Sequence, residues 1–153
     1  MDARPSLAEL CPGASRLPPG LLAASERYGR HREVATGTVL LRQRELVRDL
    51  IVLVDGQITT LVAFSGIGDL AVETTGHPGR IFGWSGLRPP RRATATVRAD
   101  RPCQVLLLPI DELIAGRPRW TAALCGLVAA GLADRAQDMA TRRAATYEAG
   151  ADA

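Results

Sequence analysis

Residues 49–58 read Asp-Leu-Ile-Val-Leu-Val-Asp-Gly-Gln-Ile, an apolar run closed by the dipeptide Asp55-Gly56. The apolar run predicts a buried strand, and Asp-Gly predicts a tight hairpin turn because glycine adopts positive φ at no steric cost. Residues 57–64, Gln-Ile-Thr-Thr-Leu-Val-Ala-Phe, then return as the partner strand. This strand–turn–strand unit indicates a fold that is mainly β.

Similar short strands follow this hairpin along the chain. After a turn at 65–68, Leu70, Val72 and Thr74 alternate with other residues, as on a strand. Residues 93–99 also alternate, and residues 103–108 form a second apolar strand. Short strands punctuated by turn residues about every ten positions are typical of a β-sandwich or jelly roll. We therefore predict a mainly β fold with flanking helices, a double-stranded β-helix.

The spacing of apolar residues becomes helical after Pro109. Residues 110–114 predict a short helix, and Pro118 opens a long one that reaches Glu148, roughly 45 Å at 1.5 Å per residue. The long helix carries one apolar stripe, formed by Trp120, Leu124, Leu127, Val128, Gly131 and Leu132.

A small β-roll is too short to cover this stripe, so we expect a homodimer through the helix. Ala122, Gly126 and Ala130 are spaced four apart, which allows two helix backbones to approach closely. The alternative is that alanine is simply a good helix former in an alanine-rich chain.

The chain divides into three segments on this evidence. Residues 1–20 hold four of the ten prolines and predict a loop-rich lead-in. Residues 21–116 form the roll with its short helices, and residues 117–149 form the dimerisation helix. A length of 153 residues suits a single such domain.

Composition excludes several classes of protein. No apolar run reaches the ~20 residues that a membrane-spanning helix needs, and the N-terminus does not resemble a secretory signal. The net charge is only +3 and the arginines are scattered, so nucleic acid is not an expected partner. Cys11, Cys103 and Cys125 lie far apart, which argues against a disulfide scaffold and favours a reducing, cytoplasmic compartment.

No arrangement of residues suggests catalysis. His31 and His77 are distant from each other and belong to no metal-spaced motif, so we expect no metal site. Asp111 and Glu112 are adjacent at the start of a helix, where favourable interaction with the helix dipole explains them. Because no nucleophile is paired with a base, we expect a non-enzyme that needs no cofactor.

The order of these elements resembles the cyclic nucleotide-binding domain family, as in bacterial catabolite activator proteins and kinase regulatory subunits. The resemblance covers about residues 20 to 148. Its signs are Gly37-Thr-Val-Leu40, the hairpin at 49–58, Gly79-Arg-Ile-Phe-Gly83, Ala95-Thr-Val-Arg-Ala99, Cys103-Gln-Val-Leu-Leu-Leu108 and Pro118. The segment Phe82-Gly-Trp-Ser-Gly-Leu-Arg-Pro-Pro90 looks like a bacterial branch of the family that carries Gly-Trp-Ser there.

The resemblance implies a phosphate-binding cassette between two strands. In the family, a Phe-Gly-Glu turn starts a short helix, its Glu accepts from the ribose hydroxyl, and a later Arg neutralises the cyclic phosphate. Here Trp84 stands at the Glu position and Ala93 at the Arg position. Arg92 would point to the opposite face of its strand, whereas Arg91 has the right parity but follows Pro89-Pro90. Thr94 matches a Ser or Thr that contacts the base in some members.

Loss of both charged contacts predicts an altered pocket. A charge-assisted hydrogen bond contributes about 1.5–3 kcal/mol, so two lost ones weaken binding by roughly two to four powers of ten. We therefore do not expect tight cyclic AMP binding. The predicted ligand-binding residues are Phe82, Gly83, Trp84, Ser85, Gly86, Leu87, Arg91, Arg92, Thr94 and Ala95.

These inferences together predict a stand-alone, non-enzymatic sensor or regulatory domain. Ligand binding in the roll would shift the packing of the last helix and so act on an unknown protein partner. The chain ends at Ala153 without a helix-turn-helix, so direct DNA binding is not expected. Two alternatives stay open: a scaffold whose cavity is filled by Trp84, and a cyclic nucleotide binder in which Arg91 or Arg92 holds the phosphate.

Overall fold

The computed structural model describes residues 4–151, in which eight antiparallel strands form two four-stranded sheets. The first sheet has the order β1-β8-β3-β6 and the second the order β2-β7-β4-β5. The strands are β1 (Arg30–Val34), β2 (Val39–Leu41), β3 (Asp49–Asp55), β4 (Ile58–Phe64), β5 (Gly68–Thr75), β6 (Ile81–Phe82), β7 (Thr96–Ala99) and β8 (Cys103–Pro109). The helices are α1 (Leu7–Leu10), α2 (Pro19–Tyr28), α3 (Ile110–Ile114) and α4 (Pro118–Ala151). The predicted jelly roll with a long last helix is confirmed.

The hairpin between β3 and β4 forms where the sequence predicts it. Gly56 has φ +114°, and a Cβ there would lie only 2.8 Å from the Cα of Cys103. Glycine is therefore required both for the backbone conformation and for the close approach of β8. Leu50, Val52 and Leu53 of β3 are almost fully buried and join the two sheets into one core.

The sequence pattern did not predict β1. Its residues, Arg-His-Arg-Glu-Val, are mostly exposed, and the strand pairs along its length with β8. An edge strand pairs with another strand on one side only and is open to water on the other. Its residues can therefore be mostly polar, and the sequence then shows no alternation of apolar and polar positions.

The lead-in is more helical than predicted. Residues 7–28 form α1, a 3₁₀ helix at Pro12–Arg16 and α2, and Pro12 and Pro19 occupy first-turn positions. Proline is favoured there because its missing N–H would have no partner inside the helix. Leu7, Ala14 and Leu21 are buried against the core, so most of this segment belongs to the domain. Residues 1–3 lie outside the described part of the chain.

The long helix is partly covered by its own chain. Leu124 and Val128 are buried, Trp120 packs over Gly20 of α2, and Leu127 approaches Gly13. The expectation that the whole stripe faces a second copy is therefore wrong for its first half, because the folded lead-in already covers it. Among the helices of residues 4–151, none combines the length and apolar character that crossing a bilayer requires.

Candidate functional site

The segment that follows β6, Gly83–Leu87, is called here the cassette turn. β6 pairs with β3, and Phe82 lies opposite Ile51 with its ring buried in the core. Gly83 then adopts φ +82°, and a Cβ there would lie 3.0 Å from the carbonyl oxygen of Asp49. This left-handed residue directs the chain into a 3₁₀ helix at Trp84–Leu87. The predicted short helix after Phe-Gly is confirmed.

The side chains of the cassette turn divide between core and solvent. Gly86 and Leu87 are buried, and a Cβ on Gly86 would lie 2.7 Å from Val47 and from the side chain of Ile110. Ser85 is half-buried. Trp84 is 44% exposed, so its indole is not a plug buried in the core.

Arg91 reaches back to the cassette turn. Its backbone has φ +59°, and its Nε donates to the carbonyl oxygen of Gly86 at 2.9 Å. Its Nη1 donates to Oδ1 of Asp111, at the start of α3, also at 2.9 Å. The guanidinium therefore joins the cassette turn to α3.

The other predicted contacts of the cassette lie nearer to solvent. Arg92 is exposed and donates from Nη1 to the carbonyl oxygen of Arg44 at 3.4 Å, a long hydrogen bond. Its backbone forms an isolated bridge with Leu46, ahead of β3. Thr94 is exposed and Ala95 is half-buried. Arg92 is thus held only weakly by the protein.

A cleft of about 480 Å³ lies beside Arg91 and holds equal numbers of basic and acidic residues. Its charged lining consists of Arg30, Arg48, Arg91, Asp49, Asp111 and Glu112. Two ion pairs, Arg30–Asp49 at 3.6 Å and Arg91–Asp111 at 2.9 Å, satisfy much of this charge internally. Of the predicted site residues, only Arg91 lines it.

The structure also holds a charged cluster inside the roll that no sequence motif predicts. The carboxylate of Glu73 on β5 accepts hydrogen bonds from Arg80, just before β6, and from Arg135 on α4. Leu70 and Val72 of β5 are exposed to solvent. The pairing of β5 with β4 shifts by one residue between Ala71 and Glu73, so alternation along β5 does not predict the face on which Glu73 lies, and the sequence carries no local signal for the cluster.

The comparisons with known proteins identify the family and the fold. A family profile described as "Cyclic nucleotide-binding domain" matches residues 31–115, more than half of the chain. This chain belongs to that family. A search of curated proteins found no match to the sequence.

Several solved structures share the fold of this cyclic nucleotide-binding domain. A cyclic nucleotide-binding domain from Methylobacillus flagellatus KT has a TM-score of 0.68 at 15% identity, over 89% of this chain and 81% of that one. The catabolite activator protein of Thermus thermophilus has a TM-score of 0.63 at 21% identity, over 86% of this chain and 63% of that one. The N-terminal domain of a transcriptional regulator from Streptomyces coelicolor A3(2) has a TM-score of 0.61 at 22% identity, over 84% of this chain and 91% of that one.

The long helix of this cyclic nucleotide-binding domain packs directly on the cassette turn. Of its predicted dimer residues, Leu124 and Val128 are buried, Trp120, Leu127 and Leu132 are half-buried, and Gly131 is exposed. The small residues Ala122, Gly126 and Ala130 are exposed on the opposite side of the helix. Any contact with a second copy would therefore use this small-residue side and the distal half of α4.

The three cysteines are free thiols. Cys11 donates from Sγ to the carbonyl oxygen of Gly79 at 3.3 Å, next to Arg80, and burial raises its pKa to about 11. Cys103 is also buried and Cys125 is half-buried. Within residues 4–151, no three His, Cys, Asp or Glu side chains come together as metal ligands would.

Proposed function

We propose that this chain is a non-enzymatic regulatory domain that binds a small ligand inside the roll, in a pocket that differs from the family's usual one. It acts in a reducing, cytoplasmic compartment, as its three free thiols suggest. The observation that carries the proposal is the 44% exposure of Trp84, the residue that the sequence resemblance aligns with the family's acidic position. An indole offers one donor and no acceptor, so it does not bind a ribose hydroxyl as a carboxylate does.

The state of the neighbouring arginines supports the same conclusion. Arg91 is already bonded to Gly86 and Asp111, and moving it to a phosphate would break both hydrogen bonds. Arg92 is exposed and only weakly held, so of the two arginines weighed as phosphate partners it is the more available to a ligand. A cyclic nucleotide held by Arg92 is the second candidate function.

The long helix provides the output of the domain. It contacts the cassette turn, and its Arg135 is bonded to Glu73 on β5, so both walls of the roll touch α4. A ligand that binds better to one helix position than to another shifts the population of the two. The shifted helix would then alter a homodimer contact or the binding of a protein partner.

Ligand binding is tested by calorimetry and by tryptophan fluorescence. We expect no tight binding of cyclic AMP, cyclic GMP or cyclic dinucleotides, and a change in Trp84 emission with fractions of a bacterial metabolite extract. The Trp84→Phe variant leaves only Trp120 as an emitter and serves as the control. A response that survives in this variant does not come from the cassette turn.

Two outcomes would contradict the proposal. Tight cyclic AMP binding that Arg92→Ala abolishes, and that Arg88→Ala leaves intact, would establish the displaced-arginine nucleotide binder instead. Trp84 emission that is indifferent to all nucleotides and all extract fractions would favour the scaffold without a ligand.

A further inference from the structure

Glu73 faces the interior of the roll. Its cross-strand partner on β4 is Thr60, whose partner on β7 is Val97. Val97 is buried in the core, and residues directly opposite one another in a sheet share a face. The carboxylate of Glu73 is therefore on the inner side of the second sheet, between the sheet and the strand that leads into the cassette turn.

Arg80 is held rigidly against this carboxylate. Its carbonyl oxygen accepts from the backbone N–H of Leu53, and its guanidinium lies 5.4 Å from the centre of the Phe82 ring. Its Nη2 donates to Oε2 of Glu73 at 2.8 Å, and its side chain is only 10% exposed. Among the described residues, its buried Nε has no hydrogen-bond partner. An unsatisfied buried donor on a charged group is costly, so this nitrogen is poised for an acceptor.

Arg135 adds a second positive charge to the same carboxylate. It reaches from α4 to Oε1 of Glu73, and the side chains of this pair are only 31% and 26% exposed. Two guanidinium groups and one carboxylate leave one uncompensated positive charge. Partly buried charge is stabilised by a counter-charge, so the cluster favours an additional anion.

We propose that the oxyanion of the ligand, a phosphate ester or a carboxylate, binds between Arg80 and Arg135 and displaces the carboxylate of Glu73. The planar fork of arginine matches both kinds of oxyanion, and Nε together with one Nη is a bidentate donor pair. In this arrangement the ligand's charge is held by Arg80, just before β6, and by Arg135 of α4 instead of by the cassette. The inference rests on the proposed function, because it assigns the ligand of that pocket its chemical class.

Displacement of Glu73 couples the anion to the helix. In the structure, α4 is tied to β5 through Arg135 and Glu73. With an oxyanion between the arginines, α4 is tied to Arg80 and β6 instead. Binding thereby exchanges one contact of the long helix for another.

The test measures thermal unfolding in inorganic phosphate, in acetate and in chloride at equal ionic strength. A ligand that binds only the folded state raises the unfolding temperature in a concentration-dependent way, which yields its affinity. We expect phosphate or acetate to do so for the wild type. Phosphate also stabilises proteins non-specifically, and the shift that remains in Arg80→Gln measures that background. Arg142→Gln on the exposed part of α4 keeps the cluster and is the matched control for the loss of one positive charge.

Variants of the cluster separate a binding role from a structural one. We expect Arg135→Gln to weaken the anion affinity about tenfold or more, because one charge-assisted contact is lost. Glu73→Gln should lower the unfolding temperature in chloride yet strengthen anion binding, because the competing carboxylate is gone. Arg80→Gln should abolish binding, and Arg135→Gln carries the test if the Arg80 variant does not fold.

The proposal would be overturned if each variant changed the unfolding temperature by the same amount in phosphate, acetate and chloride. A cluster with a purely structural role would give that result, because its contribution to stability does not depend on the anion. Comparison of the unfolding temperatures in phosphate and in acetate shows which of the two oxyanions the cluster prefers. A cyclic AMP arm shows whether a phosphodiester in a nucleotide also binds there. Because the probes are simple ions, the salt experiment can be interpreted even if no metabolite binds to the domain. Conversely, a ligand that binds the wild type and Arg135→Gln equally well refutes this inference but not the proposed function.

Discussion

The guanidinium of Arg91 lies 2.9 Å from the carboxylate of Asp111, twenty residues along the chain, and joins the cassette turn to α3. Its Nε also holds the carbonyl oxygen of Gly86. We predict that Arg91→Ala lowers the free energy of unfolding by about 1 kcal/mol, because a half-exposed ion pair and one hydrogen bond are lost. Urea denaturation measures this effect.

The same variant should leave the phosphate-induced rise in unfolding temperature unchanged. Arg88→Ala, an exposed neighbour, is the matched control for the loss of one positive charge. If Arg91→Ala removed the phosphate effect while Arg88→Ala did not, Arg91 would be an anion contact after all.

Gly86 is packed too tightly for any side chain. A Cβ there would lie 2.7 Å from Val47 and from Ile110, so Gly86→Ala should cost about 1–3 kcal/mol of stability through overpacking. Ser85→Ala, in the same turn but half-buried, should change the stability by less than about 0.5 kcal/mol. Chemical denaturation of the two variants checks the difference, and equal losses would mean that the turn is not packed as described.

Cys11 should resist alkylation in the folded protein. With a pKa of about 11, roughly a thousandth of the thiol is thiolate at pH 8, and only the thiolate reacts. We expect Cys125 to be modified before Cys11, as peptide mass spectrometry after timed iodoacetamide treatment would show. Early modification of Cys11 would contradict its burial.

The raised pKa of Cys11 also predicts a pH dependence of stability. The thiol titrates near its ordinary value of 9.0 in the unfolded chain and near 11 in the folded one. The unfolded state therefore releases the proton first, and this contribution is fully present below pH 9 and lost as the pH rises towards 11. Cys11→Ser should show a smaller loss of stability over this interval than the wild type in pH-dependent denaturation.

The exposed small residues of α4 predict the contact with a second copy. We expect sedimentation equilibrium to give twice the 16.3 kDa of one chain, and Ala130→Glu to restore the single mass, because a buried charge opposes close helix packing. Ala35→Glu, at an exposed alanine between β1 and β2, adds the same charge away from α4 and should remain dimeric. A wild type that is monomeric at high concentration, or variants that behave alike, would contradict this interface.

Local sequence patterns predicted the strands, turns and helices that are specified by residues adjacent in the chain. The β3–β4 hairpin was predictable because an apolar run and Asp55-Gly56 specify both strand and turn. β1 was not, because its polar residues are organised only by pairing with β8. The helices of the lead-in were obscured by prolines, which start helices as readily as they break them.

The candidate site was predicted only in part. The cassette turn follows Phe82 as expected; Gly83 is needed for its left-handed backbone, and Gly86 for close packing. The sequence does not specify the direction of Arg91 or the exposure of Trp84, because each depends on packing against segments that are distant in sequence.

The amino-acid sequence alone determined the β-roll, its turns and the long last helix, since strand and helix periodicity are local properties of the chain. Only the tertiary structure decided where the charges meet. Arg135 and Glu73 are 62 residues apart, and no pattern within either segment specifies the other. Their contact arises because the packing of α4 against the roll brings two otherwise ordinary surface residue types to the same partly buried place.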